Sequence, residues 1–314
     1  MAVLSVGCAR AANDTSAALT TSSSSAQHSY DLQGHRGARG LSPENTLPSF
    51  ETALDLGVTT LELDLHLSGD GQVVVWHDPL IDPTKCHTAD GEGAPAAIVA
   101  ETLAAELSQL ECDGNPDSQR FPDQSAEPTA LAGNNFGIVT LGQLFEFVAA
   151  YAESELKTEG QRRNAAAVRF NIETKRVPDK PWAIGDDFDG TTAGRFELAI
   201  LDLLDQHGVG ERTTVQSFDH RSLWAIHAVA PTQELAALTR SGDIPDFTAL
   251  AEQGATTWAP AFGSITRDRV AAAHEAGLLV VPWTVNETDE MRVLLDSGVD
   301  GIITDRPDLA PPSQ

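Results

Sequence analysis

LSGDGQVVVWHD, residues 67–78, carries a tight-turn signal, Gly69-Asp70-Gly71, between two runs of alternating apolar and polar side chains. Such a turn closes a β-hairpin, and a hairpin reverses the chain. VVVWHD therefore cannot be the next parallel strand after TTLELDLHL, residues 59–67. The chain offers nine strand candidates: YDLQGHR, TTLELDLHL, VVVWHD, AVRFNIETK, TTVQSF, ELAALT, TTWAPA, LLVVPWTV and GIITD. Amphipathic helical stretches separate most of them, among them 46–56, 141–151, 195–207, 267–276 and 289–297. Repeated strand–helix alternation means a parallel sheet. Assigning VVVWHD to the return arm of a hairpin extension leaves eight parallel strands, the count of a (β/α)₈ TIM barrel. The arm also carries His77 back over the barrel mouth.

The segment 79–136 breaks the alternation. It is rich in Gly, Pro, Asp and Glu, with one helical patch near 101–110. It reads as an insertion on the top face, with too little apolar content for a core of its own. The expected organisation is a leader over 1–29 and a barrel over 30–314 that includes this insertion.

A chain of 314 residues accommodates a barrel of about 250. Its 20 Lys and Arg against 46 Asp and Glu leave a net charge of −26. That balance excludes nucleic acid as a partner, because no basic surface is available to displace counterions from phosphates. It also makes the cluster His35, Arg36 and Arg39 in GHRGARG informative. At the N-terminus, MAVLSVGCAR ends a short apolar run in Gly7-Cys8, and a Ser/Thr/Ala-rich stretch follows. This has the form of a bacterial lipoprotein signal, although the run is short and lacks a positive start. The alternative is a leader with an incidental cysteine. The expectation is export, to the periplasm, the cell surface or the medium, with membrane contact only through a lipid on Cys8; a cytoplasmic location is the alternative. No stretch is long enough to be a transmembrane helix. Cys86 and Cys112 admit two readings, a disulfide in an exported protein or two unpaired thiols. Neither lies in a zinc-type spacing.

In a barrel, functional groups gather at the C-terminal ends of the strands. The first strand ends at His35-Arg36-Gly37. The second presents Glu62 and Asp64 on one side, because side chains alternate along a strand. FNIETK presents Glu173 and Lys175, the hairpin arm delivers His77 and Asp78, and the seventh barrel strand places Trp283 near Asn286. Three carboxylates crowded at one mouth force protonation unless a cation joins them. Oxygen ligands select one hard divalent ion, Ca²⁺ or Mg²⁺; ordinary ion pairs to Arg36 and Lys175 are the competing reading. Two histidines beside a cation and two basic side chains suit an anionic substrate that undergoes proton transfers.

HRGARGLSPENT, ELDLHLSGDGQVVVWHD, NIETK, VQSF, PWTVN and GVDGIITDRP, in that order over residues 34–307, closely resemble the glycerophosphodiester phosphodiesterase family. The resemblance implies a (β/α)₈ barrel that hydrolyses glycerophosphodiesters to an alcohol and sn-glycerol 3-phosphate. By matching motifs it implies that Glu62, Asp64 and Glu173 are metal ligands and that His35 and His77 are the acid/base pair. Arg36 and Lys175 match residues that hold the phosphate. The region after His77-Asp78 is similar to the family's variable inserted subdomain, which leaves the head group open. Among the neighbours, Glu44 either orients Arg36 or His35 or is a favourable charge near a helix start. Asn45 is the expected N-cap of the first helix, Arg39 a loop residue and His66 an outer hairpin residue. Trp283 is either a wall for the substrate or a packed rim residue. Two rivals follow: a phospholipase D-like enzyme on sphingomyelin or lysophospholipid, which an apolar rim on the insertion would favour, and a non-catalytic glycerophosphodiester-binding lipoprotein, which a missing histidine or carboxylate would favour.

Overall fold

The computed structural model describes residues 1–2 and 29–312. β1 (Asp31–Gly34) leads through a turn into α1 (Leu47–Leu56) and then β2 (Thr60–Leu67). β3 (Val73–Val75) folds back on β2 in antiparallel register, pairing Leu65 with Val75 and Leu67 with Val73. The insertion follows, with the short α2 (Ala104–Leu107) inside it. Alternation then resumes with α3 (Leu141–Glu153), α4 (Glu159–Ala167), β4 (Arg169–Thr174), α5 (Arg195–Gln206), β5 (Thr213–Ser217) and α6 (His220–Val229). It ends with β6 (Glu234–Thr239), α7 (Phe247–Glu252), β7 (Thr257–Pro260), α8 (Arg267–Glu275), β8 (Leu279–Val280), α9 (Thr288–Asp296) and β9 (Gly301–Thr304).

The parallel strands are ordered β8-β7-β6-β5-β4-β2-β1-β9; β3 stands off this path, pairing with β2 on one side and bridging to Val139 and Thr140 on the other. Between β8 and β9 the wall is carried by Asp300 N–H to Val280 O, Ile303 N–H to Pro282 O and Val285 N–H to Ile303 O, each 2.9 Å. The result is a nearly closed eight-stranded TIM barrel. Every strand candidate is a strand, and the hairpin arm is the ninth that stands outside the barrel. α4, α6 and α7 were not singled out in the sequence; α4, EGQRRNAAA, buries only Ala165 and so shows almost no apolar face. α3 shows the opposite case. Leu141, Leu144, Phe145, Val148 and Tyr151 repeat at helical spacing, and Thr140 with Gln143 forms a reciprocal cap at its start.

Two layers of β2 explain where the site sits. Leu61, Leu63 and Leu65 are fully buried in the apolar core. The alternate residues face the barrel interior, which is polar near the mouth: Asn171 donates to Gln33 Oε1 at 2.7 Å, and Gln216 donates to Glu62 Oε1 at 2.7 Å.

The insertion has more core than its composition suggested. Ile81, Cys86, Ala94, Val99, Leu107, Leu110, Cys112 and Ile138 form a buried cluster with Val74 and Trp76 of the hairpin arm. The arm supplies apolar surface that the insertion lacks, and a Cys86–Cys112 disulfide closes 26 residues of chain. The segment's end is tied to the barrel by the buried carboxylate of Glu51 on α1. It accepts hydrogen bonds from Thr129 Oγ1 at 2.6 Å and Ala132 N at 2.7 Å, and it pairs with Lys157 at 2.5 Å. Among the described residues, no helix is long and apolar enough to cross a membrane. Gly7-Cys8 lies outside the described residues.

Candidate active site

The turn after β1 is built on left-handed backbone. Arg36 has φ 51°, Gly37 φ 87° and Asn45 φ 58°. For side chains larger than glycine this conformation is unfavourable and persists only where the surroundings impose it. Here Arg36 N–H donates to Glu62 Oε2 at 2.9 Å, and Asn45 N–H donates to Arg36 O at 3.0 Å. The start of α1 packs beneath: Ser49 Oγ donates to Arg36 O and accepts from Ala38 N–H, both at 2.9 Å. The N-cap of α1 is Thr46, which accepts from Ser49 N–H, and Pro48 sits in the first turn. Asn45 is therefore not the cap. Its left-handed backbone turns the side chain toward β2, where Nδ2 donates to Asp64 Oδ2 at 2.9 Å.

Glu62, Asp64 and Glu173 each present an oxygen within 4.8 Å of the others. Period two on β2 brings the first two together, and the β2–β4 register sets Glu173 opposite Asp64. All three are buried. Burial, then the neighbouring Asp64 and Glu173, push Glu62 well above the ordinary carboxylate range. Burial also raises Glu173, against the pull of Lys175. Burial acts the same way on Asp64, but Arg36 and Lys175 outweigh it and hold Asp64 well below that range. Asp64 Oδ1 lies 3.3 Å from Lys175 Nζ yet makes no hydrogen bond, and Arg36 Nε lies 3.1 Å from Asp64 Oδ2 without one. A buried, all-oxygen donor set with one oxygen left without a hydrogen bond fits a hard cation. The cluster can hold a metal ion.

The histidines stand on separate carboxylates. His35 Nδ1 is 2.6 Å from Asp305 Oδ1, and Asp305 is clamped by Asn286, whose Nδ2 donates to Oδ2 at 2.8 Å and whose Oδ1 accepts from Asp305 N–H at 2.9 Å. His77 Nδ1 is 2.7 Å from Asp78 Oδ1. An acceptor carboxylate keeps the ring proton on Nδ1 and leaves Nε2 for proton exchange. Burial lowers both imidazoles, His77 to about 4, so both are neutral near pH 7. His66 is not an outer residue: it is fully buried, its ring nitrogens lie 3.1 Å from Ala183 O and from the backbone O of His77, and the neutral ring donates to one of the two. It shares the inward face of β2 with Glu62 and Asp64, and it holds the hairpin arm where His77 emerges.

A cavity of about 210 Å³ lies over these groups, lined by His35, Arg36, His77, Lys175, Trp283 and neighbours. Trp283 donates Nε1–H to Ala259 O at 3.0 Å and packs edge-on against Phe218, so it is at once a rim residue and a wall of the cavity. Glu44 lies beneath Arg36, accepts from Arg36 Nη1 at 2.8 Å and Lys85 Nζ at 2.9 Å, and is ion-paired with Arg39, whose Nε lies 2.6 Å away. His35, Arg36, Glu44, Glu62, Asp64, His77, Glu173, Lys175 and Trp283 thus meet in one place. The glycerophosphoryl diester phosphodiesterase family model matches residues 35–309. The chain belongs to this family.

Among curated relatives, the glycerophosphodiester phosphodiesterase of Bacillus subtilis (strain 168) is 29% identical over 88% of this chain and 83% of its own length. That of Caldanaerobacter subterraneus subsp. tengcongensis is 26% identical over 87% and 93%. A Silicibacter pomeroyi DSS-3 crystal structure assigned to the same family superposes with a TM-score of 0.73 at 30% identity, covering 91% of this chain and 93% of that one. An Oleispira antarctica phosphodiesterase in complex with the product sn-glycerol-3-phosphate superposes with a TM-score of 0.65 over 88% and 93%. At 22% identity that likeness is one of fold.

Several residues of this phosphodiesterase-family site were not assigned from the sequence. Asp305 lies within GIITDRP, but nothing local ties it to a histidine 270 positions away. Arg39, read as a loop residue, lines the cavity, and so does Arg120 from the insertion. For Asn45 a signal existed in PENT, and it was read as a helix cap.

Proposed function

We propose that the protein hydrolyses glycerophosphodiesters to an alcohol and sn-glycerol 3-phosphate, with one Ca²⁺ or Mg²⁺ held by Glu62, Asp64 and Glu173. The observation that carries this reading is the pair of carboxylate-anchored histidines beside a buried three-carboxylate cluster, with Arg36 and Lys175 on the same cavity wall. A divalent cation held there would supply Lewis-acid polarisation of the reacting oxygens. The glycerol hydroxyl next to the phosphate attacks phosphorus while one histidine takes its proton at Nε2. The bond from phosphorus to the alcohol oxygen breaks, and the other histidine gives that oxygen a proton. An anionic phosphodiester favours the charged form of a nearby imidazole, so the acid histidine takes up its proton as substrate arrives. The cyclic phosphate is then opened by water, with the two histidines exchanging roles. Arg36 and Lys175 offset the charge that grows on the phosphoryl oxygens.

The site of action is outside the cytoplasm in this reading. The Cys86–Cys112 disulfide supports it, since such bonds persist in oxidising compartments. Any membrane contact runs through a lipid on Cys8. The test is release of sn-glycerol 3-phosphate from glycerophosphocholine, before and after chelation. Activity should vanish with chelator and return with Ca²⁺ or Mg²⁺. Full turnover in chelator would overturn the metal assignment, and no release under any condition would overturn the function.

A further inference from the structure

We propose that Lys85, supplied by the insertion, is a positioning residue that locks His77 and Arg36 into one arrangement; this rests on the phosphodiesterase reading above. Its ammonium lies 2.7 Å from Asp78 Oδ2 and 2.9 Å from Glu44 Oε1. The other oxygen of Asp78 takes the Nδ1–H of His77 at 2.7 Å. The other oxygen of Glu44 accepts from Arg36 Nη1 at 2.8 Å and lies 2.6 Å from Arg39 Nε in an ion pair. One side chain thus joins the carboxylate behind a histidine to the carboxylate behind the phosphate arginine.

The two histidines differ in a way that makes Lys85 necessary. Asp305, behind His35, is fully buried and clamped at side chain and backbone by Asn286. Asp78, behind His77, has a side chain 35% exposed, and among the described residues its carboxylate bonds only to His77 and Lys85. Without Lys85 nothing prevents that carboxylate from turning to solvent and releasing the ring. Lys85 does for Asp78 what Asn286 does for Asp305. Lys85 is itself well held. Its side chain is 14% exposed, its ammonium lies 5.6 Å from the Trp76 ring centroid, and its carbonyl accepts from Gly114 N–H at 2.9 Å. The next residue, Cys86, is disulfide-bonded. The insertion therefore reaches the acid/base machinery directly.

The test has two independent readouts at one neutral pH. Side-chain ¹⁵N NMR of His77 in substrate-free protein should show the Nδ1–H tautomer in the wild type and a mixture in Lys85→Met. In the hydrolysis assay, Lys85→Met should lower kcat on the order of tenfold, the scale of a lost supporting contact, with KM changed less than about twofold. Lys85→Arg, which keeps the charge, should recover most of that loss. In an Asp78→Asn background, Lys85→Met should cause a clearly smaller further loss, because the path through Asp78 is already broken and only the one through Glu44 remains. Unchanged His77 shifts, or an equal loss in the Asp78→Asn background, would overturn the proposal. The NMR readout needs no turnover, so a wild type inactive on glycerophosphodiesters would refute the function while leaving this inference tested.

Discussion

Asp305 is the side chain on which His35 depends. It is fully buried, and Asn286 leaves it one direction in which to accept a proton donor. Asp305→Asn would present an amide to the ring and favour the other tautomer, so kcat should fall by roughly 10²–10⁴ with little change in KM, the range for losing an acid or base. His35→Ala and His77→Ala should each fall in the same range. Steady-state kinetics on glycerophosphocholine checks all three, and near-normal kcat in either histidine variant would make that histidine structural. The types of these residues were readable in the sequence, and the pairings were not. His35 and Asp305 are 270 positions apart, and only barrel closure, with β9 beside β1, makes them neighbours.

The turn between β1 and α1 turns the strand end into a site, and its tightness is measurable. A Cβ on Gly37 would lie 2.5 Å from Ser49 Oγ and 2.6 Å from Ser49 C, in backbone at φ 87°. Gly71 in the hairpin has a similar φ of 80° with nothing within 4 Å of such an atom. Comparing Gly37→Ala with Gly71→Ala therefore separates collision from backbone strain. Gly71→Ala should cost roughly 1 kcal/mol in urea unfolding. Gly37→Ala should cost about 3 kcal/mol or more, and it should also lower activity because Arg36 rides on the same turn. Equal losses would mean that the helix start yields easily. The hairpin was legible because Gly-Asp-Gly between alternating runs has a local cause. His66 was misplaced although the same alternation that groups Glu62 with Asp64 puts it on their face.

Across the whole molecule, few cations serve many carboxylates, and those near the mouth are shared. Glu44 contacts Arg36, Arg39 and Lys85. Burial opposes its ionisation, but those three cations win and hold it at about 2, against an ordinary 4.5. A depressed folded-state value means stability that is fully present above pH 4.5 and lost as pH falls toward 2. In chelator-treated protein, Glu44→Gln should therefore be less stable than wild type at pH 6, on the order of 2–3 kcal/mol. The difference should shrink through pH 4 and close near pH 2. Urea unfolding of both proteins across that range checks it, and a deficit independent of pH would show that Glu44 acts by packing alone.

Hydrophobic alternation, the turn glycines and the charge balance are local or additive properties, so the sequence carries the barrel, its hairpin and the residues of the mouth. A strand's period holds whatever its neighbours do, which is why Glu62 and Asp64 could be grouped before any contact was known. The pairings across the barrel are different in kind. Asp305 on His35, Asn45 on Asp64, Gln216 on Glu62 and Lys85 between Asp78 and Glu44 join residues from separate elements. Each exists because closure and the insertion's own buried cluster bring distant chain together, and no pattern along the chain encodes a distance in space. Composition likewise hid the insertion's core, since part of what holds it, Val74, Trp76 and the Cys86–Cys112 bond, belongs to another element or to a covalent pairing that the chain leaves open until it folds.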